Sequence, residues 1–186
     1  MRKLTVLVDM DDTIEGLSLA WCQYLNWKYG TNVPYESVNQ WDVSKAFPTL
    51  TREQVYAPLL EDDFWDWVKP IDGAAEALQK MIEDGHDVLI VTASTYVTIR
   101  AKAEKVLFKY FPFLTWDDVI VTSRKQLING DVLIDDGVHN HYGGSYRKIL
   151  MDAIHNRGID ASVLGSVRVM NWDEAYIEVC KIANER

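Results

Sequence analysis

The run from Leu4 to Thr13 constrains this chain more than any other segment. A short apolar stretch, Leu4-Thr5-Val6-Leu7-Val8, stops abruptly in Asp9-Met10-Asp11-Asp12-Thr13. Near-continuous hydrophobicity over so few residues is the pattern of a strand covered on both faces. Three carboxylates crowded at its end cost stability unless a cation or a reaction uses them. The ends of strands in open α/β sheets are also where such folds place their ligands.

Four further segments extend the pattern. Asp87–Val91, Val119–Val121, Val132–Ile134 and, more weakly, Ser166–Met170 read as strands. Helical spacing lies between and after them, over Ala74–Asp84 (stopped by Gly85), Val97–Tyr110, Tyr146–Asn156 and Trp172–Asn184. Strand alternating with helix predicts an α/β fold, a Rossmann-like parallel sheet with right-handed crossovers. The first strand reaches its partner late. Residues 15–71 intervene, are rich in aromatics and helical in pattern, and contain Thr51-Arg52-Glu53-Gln54, which fits a capping box. The organisation expected is therefore a core of residues 1–14 and 72–186, with a small helical cap over 15–71 inserted after the first strand.

Composition excludes several classes. At 186 residues and 48% hydrophobic, the chain is long enough for one core and a small appended unit. A net charge of −9 argues against duplex nucleic acid as partner. No apolar stretch approaches the roughly 20 residues of a membrane span, and the N-terminal run is too short for a signal peptide. Two distant cysteines, Cys22 and Cys180, do not make a disulfide framework and fit a reducing, cytoplasmic setting. The composition leaves room for a homodimer.

Each later strand also ends in reactive groups: Thr92-Ala93-Ser94, then Thr122-Ser123-Arg124-Lys125, then Asp135-Asp136. Taken singly these are helix caps, solvated loop cations or turns. In a parallel sheet they share one carboxyl edge with Asp9 and Asp11. Four carboxylates facing one pocket cannot all ionise without a counter-cation, and oxygen-only ligands with room for water suit Mg²⁺. One carboxylate can then attack phosphorus while a second protonates the leaving alkoxide and later activates water. Asp9 as nucleophile and Asp11 as general acid/base fit that division.

The order Asp9-x-Asp11-x-Thr13, Thr92, Lys125, Asp135-Asp136 resembles the haloacid dehalogenase-like phosphohydrolases. A closer likeness is to the 5′(3′)-deoxyribonucleotidase family, through "VDMDDT", "NQWDVSK", "FWDWVKPIDGAAEAL", "VTAS", "TSRK", "GDVLIDD", "AIHN" and "NWDEA". The resemblance implies a Mg²⁺-dependent phosphatase acting on deoxyribonucleoside monophosphates. It implies metal held by Asp9, the backbone carbonyl of Asp11 and the pair Asp135 and Asp136, chiefly Asp135. Thr92, Ala93, Ser94 and Lys125 would take the phosphoryl group, and Trp41, Phe64 and Trp65 the base. Four features depart from the family pattern, one being that the Gly137–Ser145 loop lacks the usual proline-rich character. Asp12 stands where Gly is usual, Ala93-Ser94 replaces Ser-Pro, and Arg124 is displaced by one position, so it receives no role.

Two other readings share these residues. One is a phosphatase for a sugar phosphate or another small metabolite, the other a non-catalytic phosphate- or partner-binding module on the same fold. The remaining polar motifs are expected to be structural: His139-Asn140-His141 in a solvated, mobile loop spanning 137–145, Gly143-Gly144 as a hinge in it, and His155 on a helix.

Overall fold

The computed structural model describes residues 2–185. Six parallel strands form one sheet in the order β3-β2-β1-β4-β5-β6. They are β1 (Thr5–Val8), β2 (Asp87–Thr92), β3 (Val119–Val121), β4 (Val132–Asp135), β5 (Arg147–Met151) and β6 (Ser166–Val169). β1 is central, with Val8 in register with Ile90 of β2 and Ile134 of β4. The chain steps one way from β1 to β2 and β3, and the other way from β1 to β4, β5 and β6. The order reverses beside β1, the position where open α/β sheets leave a crevice at the carboxyl ends.

Four of the expected strands match closely, and Ser166–Val169 ends one residue early. One expected helix is wrong. Residues 147–151 of the segment Tyr146–Asn156 form β5, paired with β4 and β6. Its Ile149, Leu150 and Met151 are buried, and three consecutive apolar residues satisfy a doubly covered strand as well as a helix stripe. The slots on either side of it decided the outcome. His155 accordingly lies in a turn rather than on a helix.

Helices cover the sheet: α3 (Ala74–Glu83), α4 (Tyr96–Lys102) continuing through a π-helical turn Ala103–Leu107 into α5 (Phe108–Tyr110), and α6 (Trp172–Asn184). Thr95 caps α4 with its hydroxyl on the Thr98 amide, and Asn171 caps α6 on the Glu174 amide. Trp172 is fully buried, and its indole N–H donates to the Thr13 carbonyl at 3.0 Å, tying α6 to the acidic loop.

Between β1 and α3 lie α1 (Leu17–Tyr29), α2 (Arg52–Tyr56) and several 3-10 turns. Thr51 and Gln54 make the expected capping box. The segment leaves and returns side by side: Gly16 N–H donates to Lys69 O at 2.9 Å, and Ile71 N–H to Ile14 O at 2.9 Å. Its aromatics Trp21, Tyr24, Phe64 and Trp65 belong to the same hydrophobic cluster as Val6, Val8 and Ile134 of the sheet. Gly130, just before β4, packs under β1 so closely that a Cβ there would stand 2.7 Å from Leu7 Cγ. Among the described residues no helix is long and apolar enough to cross a membrane.

Candidate active site

The ends of β1 and β4 bring the carboxylates together. Asp9 follows β1 directly, and its amide donates to the Ile134 carbonyl at 2.9 Å, so it is locked to the strand that carries Asp135. Lys125 bridges the two, with Nζ 2.6 Å from Asp9 Oδ1 and 2.6 Å from Asp135 Oδ2. All three are buried. The other Asp135 oxygen accepts the Gly137 amide at 2.7 Å and the Asn140 side chain at 3.0 Å. Asp136 is held by the Thr13 hydroxyl, which donates to Oδ1 at 2.9 Å, while its backbone carbonyl accepts from Asn156 at 2.9 Å. Lys125, expected on the phosphoryl group, is thus committed to two carboxylates.

The electrostatics follow from burial. Burial, and after it the neighbouring Asp135, push the Asp9 carboxyl well above the ordinary carboxylate range against the pull of Lys125. Burial also works against the Lys125 ammonium, but Asp9 and Asp135 outweigh it and hold the proton more tightly than usual. Carboxylate oxygens of Asp9, Asp135 and Asp136 lie within 4.8 Å of one another. One lysine does not neutralise three buried carboxylates. The oxygen-only donor set fits a hard divalent cation.

Asp11 lies on the other side of the Asp9 turn. Lys102 of α4 reaches it with Nζ 2.6 Å from Oδ1 and 2.7 Å from Oδ2, and donates to Thr92 Oγ1 at 2.8 Å. Lys102 is 1% exposed and was not singled out from the sequence. Its only signal there is a cation one residue before Ala103 on a helix that otherwise buries Ala101, Ala103 and Val106. Glu15 was also missed. It is fully buried, is bridged to Asp11 and Pro70 through the backbone, and its carboxylate oxygens have no hydrogen-bond partner among the described residues. Burial and then Asp11 raise Glu15 well above its ordinary value. For Asp11 burial acts upward too, but Lys102 and Glu15 prevail and lower it. Burial thus favours the neutral form of Glu15, while Lys102 favours the charged form of Asp11.

Asp12 has φ of 53°, the left-handed region that glycine enters most easily and that Asp tolerates better than most residues. The Ser18 amide donates to its Oδ1 at 2.8 Å, and the Ser18 hydroxyl donates to Oδ2. Burial, then Asp136, raise Asp12 to about 7.

A cavity of about 580 Å³ opens beside this centre, lined by Asp11, Lys102, Ala93, Ser94, Ser123 and apolar residues including Tyr56, Leu59 and Trp65. Thr92 is fully buried behind it. The three expected base-binding aromatics do not gather in it. Trp65 lines it. Phe64 is fully buried, edge-on to Tyr24 and Trp65, and is part of the core. Trp41 is exposed and lines a separate hollow of about 170 Å³, standing edge-on to His139 and His155. The loop after β4 reaches into the site through His141, where the sequence predicts a solvated loop. His141 is buried, with Nδ1 2.8 Å from the Ser166 hydroxyl and Nε2 3.1 Å from the Asp135 carbonyl. His155 Nε2 lies 3.1 Å from Asp136 Oδ2. Among the described residues the Arg124 side chain makes no hydrogen bond or ion pair, while its amide donates to the Thr122 hydroxyl at 3.0 Å and its carbonyl accepts from the Leu127 amide at 3.0 Å.

Known proteins share both the sequence and the architecture. The family model "5′ nucleotidase, deoxy (Pyrimidine), cytosolic type C protein" matches residues 2–184. A 5′(3′)-deoxyribonucleotidase of Bacillus subtilis is 31% identical over 173 residues, covering 92% of this chain and 96% of the relative. One from Clostridium acetobutylicum is 28% identical, covering 94% of each. Among solved structures, a haloacid dehalogenase-like hydrolase from Streptococcus pneumoniae aligns with a TM-score of 0.68 at 13% identity, over 95% of this chain and 98% of that one. A hydrolase of the same superfamily from Deinococcus radiodurans, solved with phosphate and sodium, gives 0.62 at 18%, over 96% and 95%. With its carboxylates at the switch point of a haloacid dehalogenase-like fold, the chain belongs to the 5′ nucleotidase, deoxy (pyrimidine), cytosolic type C family and is a phosphoric monoester hydrolase.

Proposed function

We propose that the chain hydrolyses deoxyribonucleoside monophosphates through an aspartyl-phosphate on Asp9, with Mg²⁺ held by Asp9, the Asp11 carbonyl, Asp135 and Asp136. The observation that carries this reading is the placement of two differently biased carboxyls, Asp9 and Asp11, on either side of one turn beside a cavity large enough for a nucleoside. The names of the relatives support the substrate, and two free cysteines fit a cytoplasmic setting. We take residues 15–71 as a cap over this cavity and 1–14 with 72–186 as the core.

When bound, the metal supplies positive charge to the phosphoryl oxygens and to Asp9. Asp9 Oδ attacks phosphorus, and the ester P–O bond breaks on the opposite side. The leaving alkoxide takes a proton from Asp11, which lines the cavity. A dianionic phosphate beside Asp11 raises that carboxyl's proton affinity as it arrives, offsetting the pull of Lys102. Water then attacks the aspartyl-phosphate, Asp11 accepts its proton, and Asp9 is restored as phosphate departs. Lys125 keeps Asp9 aimed from the strand end, while Ala93 and Ser94 face the cavity where the transferred group enters. The deoxyribose and base occupy the side lined by Tyr56, Leu59 and Trp65. Aromatic faces there contribute about 1–3 kcal/mol of stacking for any base.

The test is phosphate release from deoxyribonucleotides, ribonucleotides and sugar phosphates, with and without Mg²⁺, for the wild type, Asp9→Asn and Trp65→Ala. Mg²⁺-dependent turnover of deoxyribonucleotides, abolished in Asp9→Asn and weakened in Trp65→Ala while p-nitrophenyl phosphate turnover holds, is expected. Turnover confined to sugar phosphates overturns the nucleotide reading. Full activity in Asp9→Asn overturns the nucleophile.

A further inference from the structure

Next to the oxygen-only cluster stands a second set of groups, of which the proposed reaction uses only Asp136. Asp12, Asp136 and His155 each present one ligand atom, and these atoms lie within 4.8 Å of one another. They come from three distant places in the chain: the loop after β1, the end of β4 and the turn after β5. We infer that Asp12, Asp136 and His155 form a second cation site, for a first-row transition dication of the Mn²⁺–Zn²⁺ series, sharing Asp136 with the catalytic cluster.

Geometry supports this beyond mere proximity. His155 Nε2 lies 3.1 Å from Asp136 Oδ2. Yet the same nitrogen makes no aligned hydrogen bond among the described residues, although its side chain is only 7% exposed. The two groups form an ion pair, and their spacing also suits neighbouring ligands of one ion, which stand about 3 Å apart when each bond is about 2.0–2.2 Å. Thr13 occupies the other Asp136 oxygen, so Oδ2 is left for the His155 side. Ser18 grips both oxygens of Asp12 and fixes the carboxylate from behind. Trp41 stands edge-on to the imidazole, with ring centroids 5.4 Å apart, and limits its rotation.

Space and chemistry agree. The hollow of about 170 Å³ is lined by Asp12, Asp136 and His155 together with Ser18, Gln40 and Trp41. That is room for an ion and a few waters at roughly 30 Å³ each. A mixed imidazole–carboxylate set distinguishes this position from the carboxylate-only cluster at Asp9. Imidazole favours Mn²⁺ through Zn²⁺ over Mg²⁺. An ion here would tie the loop after β1 to the turn after β5, so binding would raise the stability of the folded chain by mass action.

The count of two ions rests on the proposed catalytic cluster, the His155 resonance does not, and the test separates the two. Metal-stripped protein is titrated with Co²⁺, reading stoichiometry by calorimetry, the paramagnetically shifted imidazole N–H resonance by NMR, and the thermal midpoint. Expected are two ions per wild-type chain, one in His155→Gln and one in Asp12→Asn, with the imidazole resonance lost in His155→Gln. Circular dichroism checks that both variants are folded. Asp9→Asn should keep the resonance while losing turnover, which shows the second site independently of the first. A single ion per wild-type chain with no His155 resonance overturns the inference. So does a stoichiometry of two in both His155→Gln and Asp12→Asn.

Discussion

Replacing Lys102 by Met removes a buried ammonium while keeping most of the side chain's volume. Three contacts disappear at once, two to the Asp11 carboxylate at 2.6 and 2.7 Å and one to the Thr92 hydroxyl at 2.8 Å. Breaking a fully buried ion pair costs about 3–5 kcal/mol, because the remaining charge is stranded. Here the Asp11 side chain is 28% exposed, so water recovers part of its solvation and about 2–3 kcal/mol is the expected loss. For a chain of this size that lowers the thermal midpoint by roughly 4–12 °C. The pH dependence is the sharper signature. In the wild type Asp11 is held below its usual value of 3.8, with burial opposing and Lys102 prevailing, so its stabilisation is present above pH 3.8 and fades as pH falls through the folded-state value. Without Lys102, burial and the remaining carboxylates favour the protonated form. The charged carboxylate then costs stability as pH rises. The difference between wild type and Lys102→Met should therefore widen from pH 4 to pH 8. Urea unfolding in EDTA at several pH values measures it. A difference below about 0.5 kcal/mol, or one that does not change between pH 4 and pH 8, would falsify the assignment of Lys102 as the counter-charge of Asp11.

Gly130→Ala drives a methyl into Leu7 at 2.7 Å and should destabilise by about 1–3 kcal/mol, with Leu7→Val recovering part of the loss in the double variant; simple additivity in urea unfolding refutes the clash. Phe64→Ala should cost about 3–5 kcal/mol in unfolding free energy, since the ring is fully buried between Tyr24 and Trp65, while KM for a nucleotide moves less than in Trp65→Ala; the reverse order of KM effects would return Phe64 to the base pocket. His86 accepts the Leu4 amide at 3.2 Å, and burial holds its imidazole below the usual 6.5. Its stabilisation is complete above pH 6.5 and is lost as pH falls toward the folded-state value. His86→Gln, which keeps an acceptor, should flatten that acid slope in thermal melts, and an unchanged slope would discard the assignment.

Asp9, Asp11 and the Asp135–Asp136 pair were legible because a strand ending in carboxylates is a local pattern. The parallel alternation then put those strand ends on one edge without any knowledge of side-chain geometry. β5 was not legible as a strand, since Ile149, Leu150 and Met151 satisfy two periods and only the exposed edges of β4 and β6 choose between them. Lys102 and Glu15 were hidden for a related reason: a charge inside an apolar pattern has no local meaning until a partner 91 residues away, or a bridged backbone, faces it. The base-binding expectation failed at Phe64 because aromatic content marks the insertion as apolar without telling which rings turn toward the sheet.

The sequence by itself determined the parallel α/β class, the carboxyl-edge site and the order of its reactive residues, all of which follow from short-range periodicity and from charge placed at strand ends. The tertiary structure alone decided which lysine serves which carboxylate, which aromatic lines the cavity and where His155 points. Those outcomes depend on burial and on contacts between segments far apart in the chain, where desolvation makes each buried charge seek the nearest counter-charge in space rather than in sequence.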